Sequence, residues 1–283
     1  MRHSLFNCLC ATAAWTVLTL LGQPAWAGPK VQVGKPCGES NRPSLAEVAH
    51  APFTALLQKY VDDKGLVAYA KWKASVADTQ ALDDYLTRAG CVDLKKPAPK
   101  AAQVAFWVNV YNALTLKGIL REYPIKSIRD RTSRLGGYNI WKDLLLWVDN
   151  KTYSLDDIEH QILRKMSEPR VHAALVCGAK GCPPLSNKAY TATGLDAELT
   201  ANGQRFFARP DSFRADPGKR EVHLTPLLKW YGQDFGPTTA DQLRALRPLL
   251  PESGATGLVD NPDVRVRFLD YDWGLNDQQP PSR

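Results

Sequence analysis

Three side chains able to do acid–base or nucleophilic work fall close together: Glu159, His172 and Cys177. Leu155, Ile158, Ile162, Leu163 and Met166 mark the apolar face of a helix by their spacing, and Glu159 falls on that face, one turn from both Leu155 and Leu163. An unpaired carboxylate there is costly, so it must be paired, protonated or turned to a cleft. Arg164 and Arg170 are its candidate structural partners. His172 lies among Val and Ala in Arg170 to Cys177, which reads as a buried strand. A buried imidazole is either a satisfied core group or an acid or base tuned by its neighbours. A helix end and a short loop separate it from Glu159, so the expectation is a pair with Glu159 orienting His172. Cys177 would be the nucleophile if reduced. Two points weigh against it. Five residues from His172 is an odd step, which puts the two on opposite faces of a regular strand, and Cys182 is near enough for a disulfide.

Asn109 and Asn112 stand out in a helix that is apolar on nearly every side. Three apart, they share a face. Asn is a poor helix former, and each amide needs partners when buried. They either fix the loops packed on the helix or contact a substrate. With Arg164 and Asp272 they make up the expected substrate-binding set. No metal and no cofactor is expected. The spacing around Cys177 and Cys182 lacks a paired CxxC, a set of His172, Glu159 and Asp270 or Asp272 is a weak metal pattern, and there is no GxGxxG after a strand, P-loop, HExxH or GxSxG.

The elements that must carry these residues read as follows. Leu45 to Val61 and Trp72 to Arg88 are helices, with a short strand at Leu66 to Tyr69 between them. Ala101 to Glu122 is the strongest helix and reads as central. Leu144 to Val148 is a strand and Asp149-Asn150-Lys151 a hairpin-like turn. A helix begins at Ser154, with Asp157 in the capping-box position. Leu195 to Ala208 is helical. A hairpin turns around Asp216-Pro217-Gly218, helices follow at Leu224 to Phe235 and Gln242 to Leu250, and Val264 to Phe268 alternates as a final strand. Helices dominate the first half and strands mix in later, which argues an α+β fold, a helical layer on a small mixed or antiparallel sheet.

The chain begins with Arg2 and His3, an uncharged apolar run from Leu5 to Leu21, then Ala25-Trp26-Ala27 before Gly28. That layout predicts a signal peptide over residues 1–27. The run is short for crossing ~30 Å of hydrocarbon, and no later stretch reads as a span. An extended arm is expected at 28–43, one α+β domain at 44–276 and a disordered tail at 277–283. Periplasmic or secreted localisation follows. The remaining cysteines, Cys37, Cys91, Cys177 and Cys182, would meet an oxidising compartment. Cys177 with Cys182 and Cys37 with Cys91 are plausible disulfides, although three pairings are open in principle. The net charge of +7 is scattered and forms no basic stripe, so no nucleic-acid partner is expected.

Several segments in order resemble the DUF547 family. They are Ala105 to Leu114, Ser154 to His160 with Ile162 to Arg164, Pro169 to Leu175, the loop from Cys177 to Leu185, Lys229 to Phe235, and Tyr271 to Asn276. The resemblance spans roughly residues 60–276 and implies no reaction. A helix followed by a His-bearing strand is also distantly similar to papain-like and transglutaminase-like folds, which place a cysteine at the start of the central helix, where this chain has Ala101-Ala102-Gln103. Three functions compete. One is a hydrolase or transferase acting on a peptide or envelope substrate through His172 and Glu159. The second is a non-catalytic binding or assembly module whose groove is lined by Trp230, Tyr231, Phe235, Tyr271 and Trp273. The third is a thiol-redox protein using Cys177 and Cys182. The ligand is expected to be small or peptide-like.

Overall fold

Every residue from Val104 to Leu116 is buried, and the helix that holds them, Lys100–Glu122, is the axis of the fold. Such a helix needs cover on all sides, and the rest of the chain supplies it. The computed structural model describes residues 29–38, 40–132, 137–251 and 255–279. The expected signal peptide, Gly28 and Glu39 of the expected arm, and the last four residues of the expected tail lie outside the described residues.

In chain order, strand β1 is Val31–Val33, followed by helices α1 (Ala51–Tyr60), α2 (Tyr69–Ala74), α3 (Val76–Gly90) and the central α4 (Lys100–Glu122). The single helix expected from Trp72 to Arg88 is thus two. Ser75 ends α2 and its hydroxyl caps α3 by accepting from the Asp78 amide. The expected strand at Leu66 to Tyr69 reduces to isolated bridges of Val67 with Val61 and Asp277. A short helix α5 (Ile140–Asp143) leads into β2 (Leu144–Val148) and β3 (Lys151–Ser154). Asp149 and Asn150 turn that hairpin with φ of 49° and 59°, the left-handed pair that a tight two-residue turn requires and that Asp and Asn tolerate. β1 joins parallel to β2, so the arm expected to be merely extended adds a strand.

The second half contains α6 (Leu195–Phe207), β4 (Phe213–Asp216), β5 (Glu221–Leu224), α7 (Leu227–Phe235), α8 (Thr239–Leu246), α9 (Ala255–Val259) and β6 (Arg265–Phe268). β4 and β5 are antiparallel, and β6 lies parallel to β5. The α+β class therefore stands, with two three-stranded mixed sheets where one small sheet was expected. There are two hydrophobic cores. The larger surrounds α4 and takes in β1, β2 and residues as distant as Leu275. The smaller gathers Phe206, Phe207, Val222, Leu224, Leu246 and Leu249. α6 runs through both, with Leu195 and Leu199 in the first and Phe206 and Phe207 in the second.

The C-terminal segment is packed rather than loose as far as it is described. Asp277 is buried and accepts from the Tyr123 hydroxyl at 2.8 Å, and the Gln278 amide donates to Val67 O. The expected tail at 277–283 therefore begins inside the fold.

Candidate functional site

Between α4, α7, the helical run after Ser154 and the C-terminal segment lies a cleft of about 340 Å³. Glu159, His172, Cys177 and Cys182 line it together with Tyr111, Trp141, Trp230, Tyr231, Tyr271 and Trp273. The three residues singled out for chemistry thus reach one cavity, although the routes differ from those expected.

The capping box at Ser154 forms as the sequence implies. The Asp157 carboxylate accepts from the Ser154 amide and hydroxyl, and the Asp157 amide donates back to the Ser154 hydroxyl. The following turns are not regular: Asp157–Ile162 is a π-helical stretch and Leu163–Met166 a 3-10 turn. A widened turn shifts later side chains from their α-helical positions and is common at functional sites. It carries Glu159, which is half-buried and accepts from the Tyr111 hydroxyl at 3.0 Å. Neither expected arginine forms its ion pair. Arg164 is committed to Asp234, and Arg170 to Glu168 and Asp196.

The segment Arg170 to Cys177 is not a strand. Pro169 to Ala173 is a 3-10 helix, with Pro at its first position and the Glu168 carboxylate accepting from the Arg170 amide. The backbone beyond it finds side-chain partners instead of a sheet. Asn112 Nδ2 donates to Ala174 O and its Oδ1 accepts from the Val176 amide, both at 3.0 Å. One amide thus does the work of a neighbouring strand. The odd-step argument about His172 and Cys177 falls with the strand.

Asn109 acts alike on Tyr190. Its Nδ2 donates to Tyr190 O and its Oδ1 accepts from the Tyr190 amide, both at 2.8 Å. Both asparagines are buried, and neither lines the cleft. Their amides hold loops, and the structure does not bring them to the cleft. Asp272 is also elsewhere. Its carboxylate accepts from the Gly274 amide, and it borders a separate depression with Lys180, Arg205 and Arg209. Arg164 is not among the cleft-lining residues; its guanidinium lies over the ring of Tyr231, 5.3 Å from the centroid.

His172 does not pair with Glu159. Its Nε2 lies 2.8 Å from Asp234 Oδ2, on α7. Arg164 grips the same carboxylate in a fork, Nε to Oδ2 at 2.6 Å and Nη2 to Oδ1 at 2.8 Å. That grip, reinforced by His172, holds the Asp234 carboxyl below its usual range. Burial lowers the His172 pKa, and the Asp234 hydrogen bond offsets only part of that. The imidazole is therefore neutral near pH 7. With Nε2–H donated to Asp234, Nδ1 is left as an acceptor, and it makes no hydrogen bond among the described residues. Nor is it among the sealed polar atoms that lack a partner, and His172 is part of the cleft lining. The ring stacks on Tyr231 at 4.3 Å between centroids, which fixes its plane.

Asp234 was missed as a site residue. A signal was present, since Asp234 follows Trp230 and Tyr231 at helical spacing and so shares their face of α7.

The cysteine sulfurs pair as Cys37 with Cys91 and Cys177 with Cys182, at Cα separations of 5.1 and 6.4 Å, distances that suit disulfides. While bonded to Cys182, Cys177 is not a free nucleophile, so that role requires the pair to be reduced. Gly178, at φ 89°, turns the loop between Cys177 and Cys182 in a conformation that side chains disfavour. Three clamps hold the loop. Asn202 Nδ2 donates to Ala173 O and Pro184 O, Arg209 donates to Lys180 O and Cys182 O, and residues 272–276 pair along its backbone. The last clamp brings Tyr271 and Trp273 to the cleft. Among the described residues no group of three or more His, Cys, Asp or Glu is placed to hold a metal ion. No helix among them is long and apolar enough to cross a membrane.

No curated protein and no solved structure matches this chain. The family model described as "Protein of unknown function, DUF547" matches residues 96–207, a shorter stretch than the expected 60–276. That stretch carries Glu159, His172 and both cleft cysteines but not Asp234, Trp230 or Tyr271, and the match supports placing this part of the chain in the DUF547 family.

Proposed function

We propose that this chain is an exported hydrolase or transferase in which His172 is a general base. One observation carries the reading: His172, in the lining of an aromatic cleft, is held through Nε2 by Asp234, while no hydrogen bond among the described residues engages Nδ1. A neutral imidazole fixed in one tautomer can take a proton from water or a substrate hydroxyl. Glu159, held by Tyr111, marks a second polar pole on the same wall and would orient the leaving group. The substrate is peptide-like or an envelope component, with flat or apolar groups that stack on Trp230, Tyr271 and Trp273. The papain-like route has no counterpart at the start of α4, where Lys100-Ala101-Ala102-Gln103 stands. Export to an oxidising compartment is supported by the two cysteine pairs.

The test is a screen of chromogenic amides, esters and glycosides on the mature chain, followed by His172→Gln. A general base is worth about 10²–10⁴-fold, so turnover should fall by that factor while the melting temperature stays close to that of the parent. A folded His172→Gln protein with undiminished turnover would sink the reading. A second reading, a binding module, is favoured by Trp230, which is 45% exposed at the cleft. In that case Trp230→Ala weakens ligand binding and His172→Gln changes nothing.

A further inference from the structure

The acid–base reading makes no use of the disulfide in the cleft wall. Cys177 and Cys182 both line the cavity, and their exposures differ: Cys177 is half-buried, whereas Cys182 is 3% exposed. The surroundings of the two sulfurs differ more. Cys182 Sγ accepts from the Cys177 backbone N–H at 3.1 Å and from the Tyr271 hydroxyl at 3.1 Å. Among the described residues, Cys177 Sγ has only the same hydroxyl, at 3.6 Å. Burial raises the Tyr271 pKa, so the phenol keeps its proton and is available as a donor. The Cys37–Cys91 pair lacks such a setting. It ties the N-terminal arm to the end of α3, and the Cys37 amide donates to Asn150 Oδ1 on the outer surface.

We propose that Cys177–Cys182 is a thiol–disulfide exchange centre that accepts electrons from a cysteine-bearing peptide docked in the aromatic cleft. An incoming substrate thiolate attacks Cys177 Sγ, the sulfur of the more exposed cysteine. A substrate–Cys177 disulfide forms, the Cys177–Cys182 bond breaks and the electron pair goes to Cys182 Sγ. The two donors on that sulfur stabilise the departing thiolate, which favours exchange. A second substrate thiolate attacks the substrate sulfur of the mixed disulfide and expels Cys177 as thiolate. Two electrons have then passed from a dithiol to the protein pair, and the two protons released by the substrate end on Cys177 and Cys182. Tyr271 is a positioning residue here, because it acts through Cys182. Trp230 and Trp273, with ring centroids 5.0 and 4.6 Å from that of Tyr271, hold its ring and offer the docking face.

The experiment uses the full mature chain with both pairs oxidised and a reduced, unstructured peptide carrying two cysteines flanked by tyrosine. Aliquots are quenched in acid, alkylated and mapped by mass spectrometry. Cys177 and Cys182 should become alkylated at least about tenfold faster than Cys37 and Cys91, with one peptide disulfide formed per pair reduced. Cys182→Ser, in which Cys177 is a free thiol, should instead accumulate a mixed disulfide on Cys177 when a one-cysteine peptide is supplied as its homodisulfide, with one peptide thiol released per bond formed. Tyr271→Phe should slow the first step about tenfold, as expected for the loss of one hydrogen bond to a thiolate. Equal rates at the two pairs, or a native Cys177–Cys182 pair that resists the peptide, would overturn the proposal. The wild-type time course decides the matter even if Cys182→Ser fails to fold. It reads thiol transfer alone, so it is independent of whether His172→Gln abolishes hydrolysis.

Discussion

Asn109 and Asn112 on one side, and His172 and Glu159 on the other, present the same signal in sequence: a polar group on an apolar face. Their fates differ. Each asparagine spends donor and acceptor on the backbone of a loop packed against α4. His172 spends one nitrogen on Asp234 and keeps the other, and Glu159 takes a tyrosine hydroxyl at the rim of a cavity. A buried polar group with a full set of partners is scaffold. A group partly satisfied at a solvent-reached wall is available for chemistry. Burial alone does not separate the two, since His172 is 5% exposed and Asn112 is 3% exposed. The count of satisfied atoms does.

The comparison is broken most directly by removing the scaffold member. Asn112→Ala strands Ala174 O and the Val176 amide in a dry interior. Each orphaned group costs about 1–3 kcal/mol, so the variant should lose about 3–5 kcal/mol in urea-induced unfolding. A loss under about 1 kcal/mol would mean that water or a shifted loop replaces the amide, and the distinction would fail at this residue. Asp234→Asn should do the reverse. The imidazole keeps a neighbour but loses the carboxylate that fixes its tautomer, so turnover on any substrate found should fall about 100-fold or more. Stability should change by only about 1–2 kcal/mol, because Asp234 and Arg164 are both partly exposed. Unchanged turnover would turn the His172–Asp234 pair into a structural ion pair.

These contrasts also show what was legible from residues alone. α4, the β2–β3 hairpin, the Ser154 cap and the hairpin around Pro217 followed from local rules, because each is set by side chains within a few positions. The strand expected at Arg170 to Cys177 failed for a non-local reason. Its apolar run is buried as a strand would be, but Asn112, more than sixty residues earlier, supplies the hydrogen bonds of the missing neighbour. The partner of His172 failed for the same kind of reason. Glu159 is nearer in sequence, but the π-helical stretch directs it to Tyr111, and α7 delivers Asp234 from 62 residues away. Chemistry-bearing residues were visible by type and patterning. Their pairings depended on how α4 and α7 pack, which no local pattern encodes.

Histidines sharpen the comparison through pH. His50 is a second, half-buried imidazole, with Nδ1 at 2.8 Å from the Tyr85 hydroxyl, and burial lowers its pKa to about 4. In the unfolded chain it titrates near 6.5. Over that window the unfolded state binds more protons, so stability is full above about pH 6.5 and falls as pH drops toward about 4. His172 is lowered as well and adds to the loss in the same direction. The His50 shift alone should be worth on the order of 3 kcal/mol by pH 4, and His172 adds to it. His50→Gln should flatten most of that slope. His172→Gln should remove a smaller part, because Asp234 already offsets some of the desolvation. Denaturant midpoints measured from pH 7 to pH 4 test this, and a His50→Gln curve as steep as the parent's would refute the assignment.

The smallest expected effect falls on Tyr111, which belongs to both sets. It is buried in α4, beside Asn112 in sequence, yet its hydroxyl reaches the cleft wall at Glu159. Tyr111→Phe removes one hydrogen bond to a half-buried carboxylate that cleft water can resolvate, so the loss should be under about 1 kcal/mol. If Glu159 is positioned by the widened turn, turnover should change by less than about threefold, since the backbone holds the carboxylate without Tyr111. If the phenol positions it, turnover should fall more than about tenfold while stability hardly moves. The second outcome would extend the catalytic set into the central helix itself. The comparison between loop-holding and cleft-facing polar groups would then run through one helix, between adjacent residues 111 and 112 that point to different tasks.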